Sequence, residues 1–272
     1  MNIHSHPPIV LQRSFGEAVV ELDAAGGRMR LVRLRQKGSA KAILPSVAGV
    51  PEVVFLNTSG GLTGGDQLAF KLSLGANSRA VATTQTAERA YRAADGVATV
   101  SVELAVGAGG WVDWLPQETI LFDQSALDRR TTIDLTGDAG CIALEAIVLG
   151  RPAMGEVVRS VSFRDTRRIR RNDVAVMLEP LSVTSAALNA GSAVLGASKA
   201  FASLVMIGGQ VDAALTAARA VLDEPGVDGA ASAWDGKLSV RMMAVDGWPL
   251  RRQICRVLEA IRPGPLPRVW QM

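Results

Sequence analysis

The chain has 272 residues and a mass of 28.6 kDa, enough to bury a sizeable core. Its 48% hydrophobic and 20% charged residues exclude a disordered chain, and a net charge of +3 is too balanced to indicate nucleic acid by charge alone. Cys141 and Cys255 lie far apart with no C-x-x-C spacing, which argues against a disulfide framework and for a reducing compartment.

Residues 1–8 are polar and carry no apolar signal-peptide core, so a cytoplasmic location is expected. This stretch holds the only histidines, His4 and His6, and reads as a disordered tail. Strand-like runs rich in Val, Leu, Ile and Thr follow at 16–22, 28–36, 51–56, 68–74, 78–84, 98–106, 111–115, 131–135, 141–149, 157–164 and 174–181. Punctuated by Gly, Asp and Asn, they predict an all-β layer stack or sandwich over about 10–185. No repeat of fixed period is evident, so a sequence-regular solenoid is not indicated. In 111–114 the alternation puts Trp111 and Asp113 on one face and Val112 and Trp114 on the other.

Residues 186–209 are poor in charge, but they are built from Ala, Gly and Ser and hold Lys199, so they read as a loop and a buried strand, not a membrane span. The rest alternates strand 201–207, helix 210–222, strand 237–245 and helix 249–261, a small α+β region over about 197–262 within one domain. Pro225 and Gly226 stop the first helix, and 228–232 reads as an exposed turn.

Residues 56–66 read L-N-T-S-G-G-L-T-G-G-D. The paired glycines predict a shaped loop that presents Asp66, and without a following Lys they do not form a P-loop. With no structured histidine, a catalytic zinc site or a Ser-His-Asp triad is not expected. There is also no G-x-S-x-G, H-E-x-x-H or dinucleotide fingerprint. What remains are acids inside or beside apolar runs: Asp66, Glu118, Glu145, Glu156 and Glu179. Two readings stay open for them. They form structural ion pairs with partners such as Arg151 and Arg89, or they line a wet interior path with Thr83 and Thr84 that holds a divalent ion loosely. Tyr91 follows the two threonines closely enough to face the same site, or is a half-buried aromatic at a strand end. Five arginines within 164–171 read as a solvated strand or hairpin, not a nucleic-acid site. Trp270, set by Pro265 and Pro267, reads as an anchor for the tail or for a partner. Charge-poor apolar surface near the C-terminal helices is the expected interface.

Taken in order, 56–66, T-T-Q-T-A-E-R-A-Y-R (83–92), W-L-P-Q-E-T-I (114–120), L-G-R-P-A-M-G-E (149–156) and the end I-R-P…P-R-V-W resemble the urease accessory protein UreD (UreH) family. The resemblance implies a helical-β fold and a scaffold role between apo-urease and two other accessory proteins, UreF and the GTPase UreG, during nickel insertion. It implies no tightly bound cofactor, no membrane and no nucleic acid, with nickel(II) passing transiently through an internal tunnel. By motif, Asp66, Glu118, Glu156 and Glu179 become transient nickel contacts, while Thr83, Thr84, Tyr91, Glu145 and Arg151 become lining or structural residues. This chain departs from the family pattern at 57–59, where His-Pro-Pro is common, at Glu88-Arg89-Ala90-Tyr91, where many members carry a Lys, and at Leu144, where Trp is common. A different class of function, a carboxylate hydrolase using Asp66, Glu118 or Glu156 as an acid–base pair on a small or saccharide substrate, is the alternative.

Overall fold

The structure is a computed structural model that describes residues 12–151 and 154–271. His4 and His6, with the expectation of a disordered tail, and Pro152 and Ala153 of the G-R motif lie outside the described residues. The chain opens with β1 (Phe15–Ala25), β2 (Arg28–Gly38), β3 (Ala40–Ile43), β4 (Glu52–Asn57), β5 (Gln67–Leu74) and β6 (Arg79–Thr84). It continues through β7 (Glu88–Ala90), β8 (Ala98–Val106), β9 (Trp111–Leu115), β10 (Thr119–Leu121), β11 (Ser125–Leu135) and β12 (Gly140–Leu149). Then come β13 (Val161–Arg171), β14 (Val174–Thr184), α1 (Ser185–Leu188), β15 (Ala200–Ile207), α2 (Val211–Ala220), β16 (Val227–Trp234), β17 (Lys237–Ala244) and α3 (Gly247–Ile261).

Two sheets result. The first runs β14-β13-β11-β8-β5-β1-β2, the second β16-β17-β15-β12-β9-β6-β4-β3. Their centres are parallel, because the chain winds from one sheet to the other and back: β5 then β6, β8 then β9, β11 then β12. Antiparallel strands finish both ends. This is the helical-β, stacked-coil arrangement expected for a mainly β chain with few helices. Its coils carry no repeated sequence because each rung needs only alternation of apolar residues inward, not a fixed residue at each step.

One core lies between the sheets and includes Val20, Phe55, Phe70, Leu104, Trp114, Ile133 and Phe163. A second lies between the outer face of the larger sheet and α2 and α3, through Ile142, Leu144, Leu204, Val240, Ile254 and Leu258. Strand β12 serves both cores, which explains why G-C-I-A-L-E-A-I-V-L is buried at every position and nearly unbroken in apolar residues.

At one edge the coils turn through long corners that stack into their own ladder. Leu62 bridges Ala90, β7 pairs with β10, and β10 pairs with β12. The glycine pairs belong to this stacking. A Cβ on Gly61 would stand 2.3 Å from the Tyr91 ring, and one on Gly64 2.1 Å from the Asp95 carbonyl oxygen. Only glycine lets the first corner lie that close to the second.

Three expectations are corrected. Residues 228–232 are not a turn but part of β16, an edge strand on β17. The strand read at 131–135 begins at Ser125, and that read at 157–164 is β13, starting only at Val161. The first shift arises because polar residues at alternating positions broke the apolar run without ending the extended backbone; in the second, the apolar pair Val157-Val158 precedes the strand. The charge-poor 186–209 region holds α1, a short 3-10 turn and β15, and no described helix is long and apolar enough to cross a membrane.

Candidate functional site

Strands β11, β12 and β13 each turn charged groups inward at the same level of the stack. On β11 the buried face reads Ser125, Leu127, Arg129, Thr131, Ile133, and on β13 Val161, Phe163, Asp165, Arg167, Ile169. Arg129 forks onto Asp165, with Nε to Oδ1 3.1 Å and Nη2 to Oδ2 2.7 Å. Its Nη1 donates to Thr119 Oγ1 (3.0 Å) and lies 2.9 Å from Glu145 Oε2, across from the facing sheet. That last contact is ionic and off the hydrogen-bonding direction, leaving Glu145 Oε2 without a donor. Glu145 Oε1 accepts from Trp114 Nε1 (3.2 Å) and Thr131 Oγ1 (3.3 Å).

One step toward the open side, Arg167 donates to the carbonyl of Ala143 (2.8 Å), to Ser203 Oγ (2.8 Å) and to Glu179. Glu179 also accepts from Ser203 Oγ (2.8 Å) and from the exposed Arg241 (3.2 Å). Glu145, Asp165, Arg167, Glu179 and Ser203 line one cavity of about 300 Å3, closed by apolar residues of β14, β15 and the α1 region.

The electrostatics differ along this line. Burial pushes Glu145 above the usual carboxylate range, outweighing Arg129. Burial pushes Glu179 the same way, but the charge and hydrogen bond of Arg167, with Ser203 and Arg241, hold it below its ordinary value. Burial opposes the charge on Arg129, yet Asp165 and Glu145 keep it protonated.

The other expected residues are not in this cavity. Asp66 is buried at the first corner and gives its two oxygens to the amides of Ser14 (2.7 Å) and Thr63 (2.8 Å), fastening the glycine loop to the chain before β1. Glu156 accepts from Arg151 Nε (2.8 Å) and the Asp123 amide (3.1 Å), and Arg151 lies over the Phe122 ring at 4.2 Å. Tyr91 stands edge-on to Phe122 and donates to the Gly60 carbonyl (3.2 Å). It is exposed at the corner, whereas Thr83 is buried, and the two share no hydrogen bond.

Thr83 and Glu118 face the C-terminal region. Thr83 Oγ1 donates to the Leu115 carbonyl (2.6 Å) and accepts from Trp270 Nε1 (3.3 Å), while Glu118 lies 3.4 Å from Arg251 of α3. Trp270 is the tail's anchor: its Nε1 also donates to the Leu115 carbonyl (3.0 Å), and Arg251 covers its ring at 4.7 Å. Thus four of the five acids are ion-paired, and of the two guanidinium partners suggested by sequence only Arg151 takes that role. Of the three acids of the hydrolase reading, Asp66 is bound to the amides of Ser14 and Thr63, Glu118 lies against Arg251, and Glu156 is bound to Arg151 and the Asp123 amide. The arginine run is a strand, as read, but Arg167 is turned fully inward.

Sequence reasoning missed Arg129, Asp165 and Arg167. Their signal was present: each occupies an inward position in a period-two run of apolar residues. It missed Glu88 as well. That carboxylate sits at the second corner, in a small pocket with Asn57 and Thr84, accepting from the Asn57 amide (3.3 Å) and the Arg89 backbone amide (3.0 Å). Burial raises it to about 7 against these hydrogen bonds and the Arg89 charge.

A carboxyl that keeps its proton in the folded state up to about 7 while the unfolded chain releases it near 4.5 costs stability as pH rises through that interval. At full shift this is up to about 3 kcal/mol, absent below pH 4.5 and complete above 7. Glu88→Gln is therefore expected to be more stable than the parent at pH 8, equal to it near pH 4, and flatter between. Urea titrations at a series of pH values check this, and parallel curves for the two proteins would refute it.

The UreD urease accessory protein family model matches residues 14–271. Curated relatives named urease accessory protein UreD include one from Cereibacter sphaeroides, 60% identical over 100% of both chains. One from Paracoccus denitrificans is 52% identical over 97% of this chain and 95% of its own, and one from Rhizobium leguminosarum bv. trifolii is 46% identical over 96% of each. The chain belongs to the UreD urease accessory protein family. For a UreD-family chain the corner motifs take on a plain meaning: G-G-x-x-G-G-D, the T-T-Q-T segment and G-R-x-x-x-G-E build successive corners of one coil stack. The thiols stand aside from its polar interior, with the buried Cys141 pushed up to about 12 by desolvation and Cys255 on α3 also raised by burial.

Proposed function

We propose that the chain is a non-catalytic accessory factor of urease maturation in the cytoplasm. In this reading it joins apo-urease to a UreF-like protein and a UreG-like GTPase, and nickel(II) crosses its interior as cargo, touching Glu145 and Glu179 in turn. The observation that carries the reading is that these two acids, one from each sheet, border the same cavity between the sheets. Family membership supports the maturation role. The donor chemistry supports transfer over storage: carboxylate, hydroxyl and carbonyl oxygens hold a first-row dication less firmly than thiolates or clustered imidazoles. Among the described residues no group of three Asp, Glu, His or Cys side chains is placed to hold a metal ion. Asp66, Glu118 and Glu156 are assigned to fastening corners and the tail, outside the cargo's route.

The test is urease activation in cells supplying limiting nickel, with the chain co-expressed alongside its partners. Glu145→Gln and Glu179→Gln are expected to lower urease activity and its nickel content about tenfold while still co-purifying with the other accessory proteins. Glu118→Gln is expected to leave both unchanged. Full nickel content in the first two variants would sink the route.

A further inference from the structure

The end of the coil stack formed by β2 is open. Among the described residues strand β2 pairs only with β1, and no other described strand takes up the backbone N–H and C=O groups that alternate residues of its eleven turn outward. The register of the pair contains a bulge: Glu21 faces Arg33 and Leu22 faces Leu31, leaving Val32 as the extra residue. In an unbulged strand Arg28 and Arg30 would lie on the face opposite Arg33, Arg35 and Lys37. With the bulge all five fall opposite outward residues of β1, namely Ala25, Asp23, Glu21, Val19 and Glu17. A continuous row of five cations runs along the outer face, and the row on β2 contains no acid.

The acids of β1 answer only part of it. Glu21 pairs with Arg33 at 3.2 Å and Glu17 with Arg35. Asp23, opposite Arg30, accepts instead from the Ala24 amide (2.9 Å). Among the described residues no carboxylate lies within 4 Å of Arg28, Arg30 or Lys37. At the centre of β2 the inner face is apolar and exposed. Leu31 and Leu34, opposite the buried Leu22 and Val20, are 48% and 41% exposed, and Val32 is 63% exposed. Solenoid ends are ordinarily closed by a polar cap.

We propose that β2 is a docking edge for an extended segment of a partner protein that alternates acidic and apolar residues. The segment adds a strand beside β2, its acids against the cation row and its apolar residues over Leu31 and Leu34. Main-chain hydrogen bonds supply affinity and the alternation supplies selectivity. A second copy of this chain does not fit, because two β2 strands side by side would set one arginine row against the other.

The test uses the full chain and a fluorescein-labelled eleven-residue peptide alternating glutamate with valine or threonine. A lysine-for-glutamate twin and an RNA oligonucleotide are the comparisons, with anisotropy for binding and hydrogen exchange for location. The glutamate peptide is expected to bind and to slow exchange across 28–38, while the twin does neither. The surface variant Arg28→Glu/Arg30→Glu is expected to bind about tenfold more weakly with an unchanged melting temperature. Binding without protection of β2, equal binding of the twin, protection of β2 by RNA alone, or protection on raising the concentration of the chain itself would each overturn the proposal. None of these outcomes bears on nickel transfer through Glu145 and Glu179.

Discussion

Arg129→Met should cost about 3–5 kcal/mol of folding free energy, because it strands two buried carboxylates that share one guanidinium. Arg129 holds Asp165 by two hydrogen bonds and lies 2.9 Å from Glu145, and all three are buried. Methionine fills a similar volume, so packing alone would account for little of that loss. The pH dependence separates the causes. Burial already holds Glu145 above its ordinary value against the pull of Arg129, and without Arg129 it is expected to be held higher still; such a group contributes stability at low pH that disappears as pH rises. The deficit should therefore be largest at pH 8 and shrink toward pH 4. Replacing the whole set, Arg129→Met with Asp165→Leu and Glu145→Leu, should recover much of it, since none of these three charges is then left buried without its partner. Urea unfolding at several pH values reads all three proteins. A deficit below about 1 kcal/mol, or one constant with pH, would show that this cluster does not hold the two sheets together.

Trp270→Ala is the second large effect expected, about 3–5 kcal/mol. The indole is buried in a slot formed by β6, β9 and α3, where it donates to the Leu115 carbonyl and lies under the Arg251 guanidinium. Its removal leaves a cavity, a guanidinium without its ring and a Leu115 carbonyl held by the Thr83 hydroxyl alone. Trp270→Phe keeps most of the packing and loses only the N–H, so it should cost about 1–2 kcal/mol. Thermal unfolding ranks the three proteins. An alanine variant that melts with the parent would mean that the tail is held by Gln117 and Arg262 instead, through their bonds to Val269 and Pro265.

Much of the fold was legible because alternation is a strong signal when one face of a strand is buried. The runs at 68–74, 98–106 and 111–115 coincide with β5, β8 and β9 to within a residue, and Trp111 and Asp113 share a face closely enough to hydrogen-bond at 2.8 Å. The failures lie where alternation carried a charge inward. Arg129 broke the run that begins β11, and Arg167, buried, was read as one solvated arginine among five. Composition alone does not say that a cation has a carboxylate waiting on the neighbouring strand; the register of β11 with β13, which sets Arg129 opposite Asp165, does. The corner acids were singled out for the right reason, as carboxylates in ordered apolar surroundings. In the structure each lies against a backbone amide or a nearby arginine at its own corner. Strand β16 was lost to its Gly and Ser, which read as a turn when considered without the edge of β17.

The bond from Trp270 to Thr83 spans 187 residues. During synthesis the slot beside β6 must therefore wait, unfilled, while more than half of the polypeptide is still to emerge from the ribosome. Until then the apolar side of the slot contributed by β6 and β9 faces water, and any passing hydrophobic segment can compete for it. A chain that stops before position 270 leaves that side of the slot without its indole.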